Sequence, residues 1–160
     1  MGEVSTLAQL RQRRDQWRQQ GRKIVLTNGV FDLVHVGHLR SLQAAKALGD
    51  LLIVAVNSDA STRVLKGLER PIVPAAERAE LLAGFAAVDF VLIFEEATAE
   101  ATVAALQPDV YVKGGDYDVS AESLPEAAIV RSYGGHVVLA PLVEGLSSTN
   151  LIAKIRRSSG

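Results

Sequence analysis

Short apolar runs that alternate with helix-length segments are the feature that most constrains the fold of this chain. The apolar runs are rich in β-branched residues, as buried parallel strands are, and they occupy residues 24–27, 51–56, 88–94, 110–112 and 137–139. Segments with helical patterning lie between or after them, at residues 38–48, 75–85, 98–106, 124–133 and 148–157. This alternation predicts an α/β fold, a Rossmann-like doubly wound parallel sheet with helices on both faces.

The length of the chain indicates one domain. Its 160 residues fall within the range of ~100 to 200 residues that is usual for a single domain. We therefore predict one domain over residues 1–160, with a leading helix in residues 1–22 and a core in residues 23–157. The helix is indicated by Leu7 and Trp17, which fit one helical face. Whether it packs on the core or on a partner subunit is open at this stage.

Charge and composition exclude several classes of function. Lysine and arginine number 17 against 18 acidic residues, a net charge of -1, so no global basic field exists to bind nucleic acid or a membrane surface. The absence of cysteine excludes disulfides, thiolate zinc sites and cysteine nucleophiles, and it agrees with a reducing compartment. No signal-like or membrane-length apolar run is present. We expect a cytoplasmic protein without nucleic-acid or membrane partners.

The segment between the first strand and the first core helix carries the strongest chemical signal. Asn28-Gly29 lets the backbone turn and approach a ligand closely. His35 and His38, three residues apart, fall on one side of the first helical turn. A helix N-terminus offers unpaired N–H groups to phosphate, and Gly37 leaves that backbone unshielded. The pattern predicts a phosphate cradle.

A metal site and a purely structural role are the alternatives for this histidine pair. Zinc would need a third protein ligand, for which Asp32 is a candidate. The two-histidine helix motif of metalloproteases, however, has its histidines four residues apart with a glutamate between them, and neither feature is present here. Phosphate contact is therefore the favoured interpretation.

Later polar residues also fall at predicted strand ends or helix starts, and each has a simpler alternative. Lys113, followed by two glycines, suits a phosphate contact or a simple turn, and the serines and threonine before the last helix suit phosphate binding or an N-cap. Asp59 and Asp116 are candidate substrate contacts or turn residues. The connection over residues 61–74 is the best candidate for a mobile flap. Arg70, within it, and Arg78, after it, are candidate phosphate ligands or ordinary exposed cations.

These motifs together resemble one known superfamily. The run Gly29-x-Phe31-Asp32-x-x-His35-x-Gly37-His38 after a strand is similar to the signature of the HxGH nucleotidyltransferases, the cytidylyltransferase-like superfamily. Its members transfer a nucleotidyl group from a nucleoside triphosphate to a phosphorylated acceptor. The resemblance continues through Asn57-Ser58-Asp59, Lys66-Gly67, Arg70 to Arg78 and Gly145 to Thr149, and it covers about residues 23–155.

Two segments resemble one branch of that superfamily. Residues 112–117 and 144–150 are most similar to the adenylyltransferases that act on D-glycero-β-D-manno-heptose 1-phosphate and make ADP-heptose for lipopolysaccharide cores. The chain is expected to be a stand-alone form. Leu142-Val143 replaces the Arg-Thr pair of the cytidylyltransferase branch. The alternatives are a glycerol-3-phosphate cytidylyltransferase, a phosphopantetheine adenylyltransferase and a binding module without turnover. A dinucleotide oxidoreductase is disfavoured because no G-x-G-x-x-G follows the first strand.

The resemblance implies a role for each motif residue, together with a homodimer and Mg²⁺ on the ATP phosphates, with Asp32 as its candidate ligand. The implied catalytic residues are His35, His38, Lys66 and Lys113. The implied nucleotide-binding residues are Asn28, Gly29, Val30, Phe31, His35, Gly37, His38, Arg78, Gly145, Ser147, Ser148 and Thr149. The implied acceptor-binding residues are Asp32, Asn57, Asp59, Lys66, Lys113, Gly115 and Asp116.

Overall fold

Six strands and seven α-helices are found in the computed structural model, which describes residues 1–114, 120–140 and 145–160. The strands are β1 (Glu3–Val4), β2 (Ile24–Gly29), β3 (Leu51–Asn57), β4 (Phe90–Phe94), β5 (Val110–Lys113) and β6 (His136–Leu139). The helices are α1 (Leu7–Gln19), α2 (Val36–Lys46), α3 (Asp59–Lys66), α4 (Ala75–Ala83), α5 (Glu100–Leu106), α6 (Ala127–Ser132) and α7 (Ser148–Ser158). Across the described ranges, no helix has both the length and the apolar character that a membrane crossing requires.

The strands form one sheet in the order β1-β4-β3-β2-β5-β6, and all paired strands are parallel. From β2 the chain proceeds outward through β3 and β4, then returns to the other side of β2 to form β5 and β6. The direction of winding therefore reverses between β2 and β5. In open α/β sheets ligands bind at such a reversal, beyond the carboxyl ends of the strands. The prediction of a doubly wound parallel sheet is confirmed.

Side chains alternate along the central strands and build a separate core on each face of the sheet. Ile24 and Leu26 of β2 pack into one core, with α1, α5 and α6. Val25, between them, packs into the other core with α2 and α4. Successive side chains of a strand point to opposite faces, so continuous apolar runs are what a sheet covered on both faces needs. The prediction of helices on both faces is confirmed.

The leading segment belongs to the core. Leu10 of α1 is fully buried in the first core, and Trp17 lies 4.9 Å from Phe90 between ring centroids. Ahead of the helix, β1 adds a parallel strand to the edge of the sheet beside β4. Thr6 caps α1 by accepting a hydrogen bond from the N–H of Gln9 at 3.2 Å. The question left open by the sequence is thereby answered, because residues 1–22 pack on their own chain.

The predicted long connection over residues 61–74 is wrong in its first part. Helix α3 begins at Asp59 and includes Lys66. The N–H of Ser61 donates to Ser58 Oγ at 3.1 Å, so a serine cap stabilises a helix start that reads as a polar turn in the sequence. The connection is thus reduced to residues 67–74.

Candidate functional site

A cleft of about 940 Å³ lies at the winding reversal, between the carboxyl ends of β2 and β5. The loop from β2 to α2, the end of β5 and the start of α7 all contribute to its lining. Gly115 and Asp116 lie outside the described residues. The predicted residues that line the cleft are Asn28, Gly29, Val30, Phe31, Asp32, His35, Gly37, His38, Asn57, Lys66, Lys113, Gly145, Ser147, Ser148 and Thr149.

The two histidine rings lie against each other at the N-terminus of α2, tilted by 38°. Their ring centroids are 4.0 Å apart. The N–H of Gly37 donates to Nδ1 of His35 at 3.1 Å, and the N–H of His35 donates to Nδ1 of His38 at 3.2 Å. A nitrogen that accepts a hydrogen bond carries no proton, so each neutral ring carries its proton on Nε2. Both rings therefore keep one N–H donor that the helix backbone does not use.

Burial favours the neutral form of both rings. It lowers the pKa of His35, and it lowers the pKa of His38 from 6.5 to about 4, with a further contribution from the neighbouring His35. Two imidazolium rings at this distance would also repel each other. The pair is thus arranged as two neutral hydrogen-bond donors at a helix N-terminus, where the backbone already favours negative charge.

The loop that precedes α2 is held in an uncommon backbone conformation. Phe31 and Leu33 both have positive φ, 53° and 49°, a region that bulky residues rarely adopt. Gly37 is needed for space, since a Cβ there would lie 2.8 Å from Cε1 of His35. Such strain clusters at functional sites. Here it accompanies the close approach of the loop to the histidine pair.

Asp32 ties this loop to the segment after α3. Its side chain is fully buried, and its carboxylate accepts hydrogen bonds from Nε of Arg70 at 2.7 Å and from the N–H groups of Ile72 and Val73 at 2.8 and 3.0 Å. Burial alone would raise the pKa of Asp32, but these three donors together lower it. Asp32 therefore holds residues 70–73 against the wall of the cleft. Arg70 is not the ordinary exposed cation that the alternative interpretation assumed.

The environment of Asp32 does not suit a magnesium ligand. Oδ2 already accepts two hydrogen bonds and Oδ1 one, and Arg70 places a positive charge 2.7 Å from the carboxylate. Mg²⁺ usually keeps several waters and binds mainly through substrate phosphates. The predicted role of Asp32 as a metal ligand is replaced by a structural one.

Arg78 and Asp59 also take structural positions in place of the predicted ligand contacts. Neither residue lines the cleft. Arg78 is fully buried in α4, and its guanidinium donates to the carbonyl oxygens of Val73, Val30 and Asn57 and to the carboxylate of Asp59. Four of its five N–H donors are thereby engaged by the protein. Arg78 joins the loop after β2, the end of β3 and the start of α4.

Two lysines bring positive charge to the cleft. Lys66 is exposed at the end of α3, and Lys113 stands at the end of β5. Burial lowers the pKa of Lys113, although the carboxylate of Glu126, 3.9 Å from its Nζ, acts in the opposite direction. A partly desolvated ammonium group interacts strongly with an anion because little water screens it. Lys113 is thus suited to bind phosphate.

The residues before α7 combine capping with cleft lining. Ser147 Oγ accepts a hydrogen bond from the N–H of Asn150 at 3.0 Å, so the N-cap interpretation holds. Ser148 Oγ donates to the backbone carbonyl of Asp32 and ties α7 to the loop after β2. Thr149 is exposed, and Gly145 has a φ of 77°, a conformation that favours glycine. The N-terminus of α7 therefore faces the same cleft as that of α2.

The sequence did not reveal two residues that shape the cleft. Tyr111 donates its hydroxyl to Oδ1 of Asn28 at 2.5 Å and so orients the amide. Glu126, before α6, is fully buried beside Lys113. In the sequence Tyr111 reads as a core residue of an apolar strand, and Glu126 reads as a polar residue near a helix start. No local pattern distinguishes either one.

Comparison with known proteins places the chain among enzymes. The Cytidylyltransferase-like family profile matches residues 26–154. The bifunctional protein HldE of Geotalea uraniireducens is 52% identical over 142 residues, which are 89% of this chain and 29% of that protein. The HldE of Koribacter versatilis is 52% identical over 151 residues, 94% of this chain and 31% of that protein. The chain spans about three tenths of the length of these relatives.

Solved structures agree with the fold. A lipopolysaccharide core biosynthesis protein from Thermoplasma volcanium superposes with a TM-score of 0.68 at 28% identity, covering 78% of this chain and 100% of that chain. Pantothenate synthetase from Thermus thermophilus shares the fold, with a TM-score of 0.62 at 21% identity, covering 99% of this chain and 70% of that chain. The cleft, its histidine pair and the matched profile lead to one conclusion: this chain belongs to the cytidylyltransferase-like family of nucleotidyltransferases.

Proposed function

We propose that the chain is an adenylyltransferase that joins ATP and D-glycero-β-D-manno-heptose 1-phosphate, giving ADP-heptose and pyrophosphate for lipopolysaccharide core precursors. The observation that carries the proposal is the pair of neutral histidines at the N-terminus of α2, each with its Nε2–H unused by the helix. The heptose assignment is supported by the resemblance of residues 112–117 and 144–150 and by the identity to HldE proteins.

In this proposal the acceptor phosphate attacks the α-phosphorus of ATP in line. A bond forms between an acceptor phosphate oxygen and the α-phosphorus, and the bond from the α-phosphorus to the bridging oxygen breaks. Pyrophosphate leaves with the bonding electrons. The attacking oxygen is already anionic, so the protein needs no covalent nucleophile. Its contribution is to position the reactants and to stabilise charge.

The nucleotide phosphates occupy the N-terminus of α2 in this arrangement. Nε2–H of His35 and of His38 donate to the α-phosphate and to the bridging oxygen on which negative charge grows. Rings that are already oriented by backbone hydrogen bonds need no rearrangement during the reaction. Gly37 lets the phosphates approach the backbone, and the N-terminus of α7 offers a second set of N–H groups.

The cations divide between the leaving group and the acceptor. We assign Lys66, at the exposed mouth of the cleft, to the leaving pyrophosphate. Lys113, at the floor near β5, is assigned to the acceptor phosphate. Mg²⁺ would be held by the ATP phosphates and water and would help to neutralise the phosphate charge, and no protein carboxylate is assigned to it.

The experiment is pyrophosphate release by the purified chain with Mg²⁺. ATP and CTP are each paired with heptose 1-phosphate, glycerol 3-phosphate and phosphopantetheine. The proposal predicts release with ATP and heptose 1-phosphate alone. Release only with another pair would keep the reaction type but assign the chain to a different pathway. If folded protein released no pyrophosphate with any pair, an adenylyltransferase with this acceptor would be contradicted.

Assembly and location are part of the same proposal. We infer a homodimer, by resemblance to the superfamily, and a cytoplasmic location, with which the cysteine-free sequence agrees. Large apolar side chains exposed near the cleft, among them Val64 (79% exposed) and Leu68 (89% exposed), support an interface between copies. Light scattering coupled to size exclusion is expected to give twice the mass of one chain, and a mass of one chain would contradict it.

A further inference from the structure

One buried carboxylate in the cleft is only half satisfied. Glu126 is fully buried and lines the cleft. Its Oε1 accepts a hydrogen bond from the N–H of Ala99 at 3.0 Å and lies 3.9 Å from Nζ of Lys113. Its Oε2 has no hydrogen-bond partner among the described residues. A buried acceptor left unpaired costs free energy, so a bound ligand that donated a hydrogen bond to this atom would be favoured.

The charges around Glu126 restrict what that donor can be. A phosphate or carboxylate group placed directly against Oε2 would be repelled by the carboxylate. A second cation would be repelled by Lys113, whose ammonium group is already in place. A neutral donor meets neither objection. Hydroxyl groups are neutral donors, and a sugar phosphate carries several of them within a few bonds of its phosphate.

We propose that Glu126 determines acceptor specificity, its Oε2 accepting a hydrogen bond from a hydroxyl of the sugar phosphate whose phosphate Lys113 binds. This inference rests on the proposed function and deepens it, because it assigns a residue to the sugar portion of the acceptor. Lys113 and Glu126 then bind two different groups of one ligand. Lys113 selects a phosphate and Glu126 selects a polyol attached to it.

The test combines a variant with substrate analogues. Glu126→Gln keeps the shape and an oxygen for Ala99 N–H, but removes the negative charge. We expect the KM for heptose 1-phosphate to rise roughly 10- to 100-fold, as for a lost hydrogen bond to a charged group, with the KM for ATP unchanged. Glu122→Gln is the matched control, since Glu122 is exposed four residues earlier. It should leave both values unchanged.

Monodeoxy analogues of heptose 1-phosphate separate recognition from a structural effect. With the wild-type chain, the KM for one analogue should exceed the KM for heptose 1-phosphate by about the same factor. Glu126→Gln should not raise the KM for that analogue any further. A rise in the KM for ATP, or equal losses with every analogue, would overturn the inference. If Glu126→Gln fails to fold, the wild-type chain alone still tests the inference. It would be overturned if the wild-type KM for every analogue equalled the KM for heptose 1-phosphate. Failure of the proposed function is distinct, because the wild type would then release no pyrophosphate with heptose 1-phosphate.

Discussion

At the scale of single residues, hydrogen bonds from the backbone prepare the histidine pair. Both Nδ1 atoms accept N–H groups of the first turn of α2, so the protonated nitrogens are the ones left for a ligand. The same contacts explain why the spacing of three residues matters, because it brings both rings to the first turn. The sequence spacing correctly predicted that the two rings lie close together. Which ring nitrogen carries the proton follows only from the hydrogen bonds in the structure.

We expect His38→Ala to lower turnover by ~10² to 10³, the usual effect of removing one preorganised donor to developing negative charge. Its melting temperature should fall only slightly, because the hydrogen bond that the fold loses is the one from the N–H of His35 to Nδ1 of His38. His136→Ala is the control, since His136 is exposed on β6 and does not line the cleft. Normal turnover in folded His38→Ala would remove His38 from the mechanism.

Stability should depend on the titration of His38 in acid. The pKa is about 4 in the folded chain and 6.5 as the ordinary value, so the unfolded chain binds more protons between these values. The free energy of unfolding should therefore fall as the pH drops from about 6.5 to about 4. Urea unfolding of wild type and His38→Ala across this range measures the effect. A variant with an unchanged pH dependence would contradict it.

At the scale of elements, Arg78 shows where sequence reasoning fails. A basic residue after the predicted flap suggested a phosphate ligand. Arg78 is instead buried in α4, where its hydrogen bonds to three backbone carbonyl oxygens link separate segments of the fold. The short β1 was also missed, since two residues carry no periodic pattern and their pairing with β4 is set by tertiary contacts. The longer strands were predicted well because their apolar runs are continuous.

Arg78→Ala should destabilise the fold by roughly 3 kcal/mol or more, because it removes a fully buried guanidinium that makes four hydrogen bonds and leaves their acceptors unpaired. Three carbonyl oxygens and the carboxylate of Asp59 would lose their donors. Arg63→Ala, on an exposed position of α3, is the matched control and should change stability by less than ~0.5 kcal/mol. Urea denaturation measures both. A loss below about 1 kcal/mol for Arg78→Ala would refute its structural role.

At the scale of the whole molecule, the winding order assembles the cleft from distant parts of the chain. Ser148 Oγ binds the carbonyl of Asp32, and Tyr111 binds Asn28. These contacts span 116 and 83 residues, so no local pattern reveals them. The β-α alternation nevertheless predicted the edge of the sheet at which they meet, because a doubly wound sheet has its ligand site where the winding reverses.

The most direct test of the account follows oxygen atoms through the reaction. Heptose 1-phosphate labelled with ¹⁸O in its non-bridging phosphate oxygens is incubated with the chain, ATP and Mg²⁺, and the products are analysed by mass spectrometry. Attack by the acceptor phosphate on the α-phosphorus predicts that ADP-heptose retains all of the label and that pyrophosphate carries none. Label in pyrophosphate, or no ADP-heptose from folded protein, would contradict the central claim.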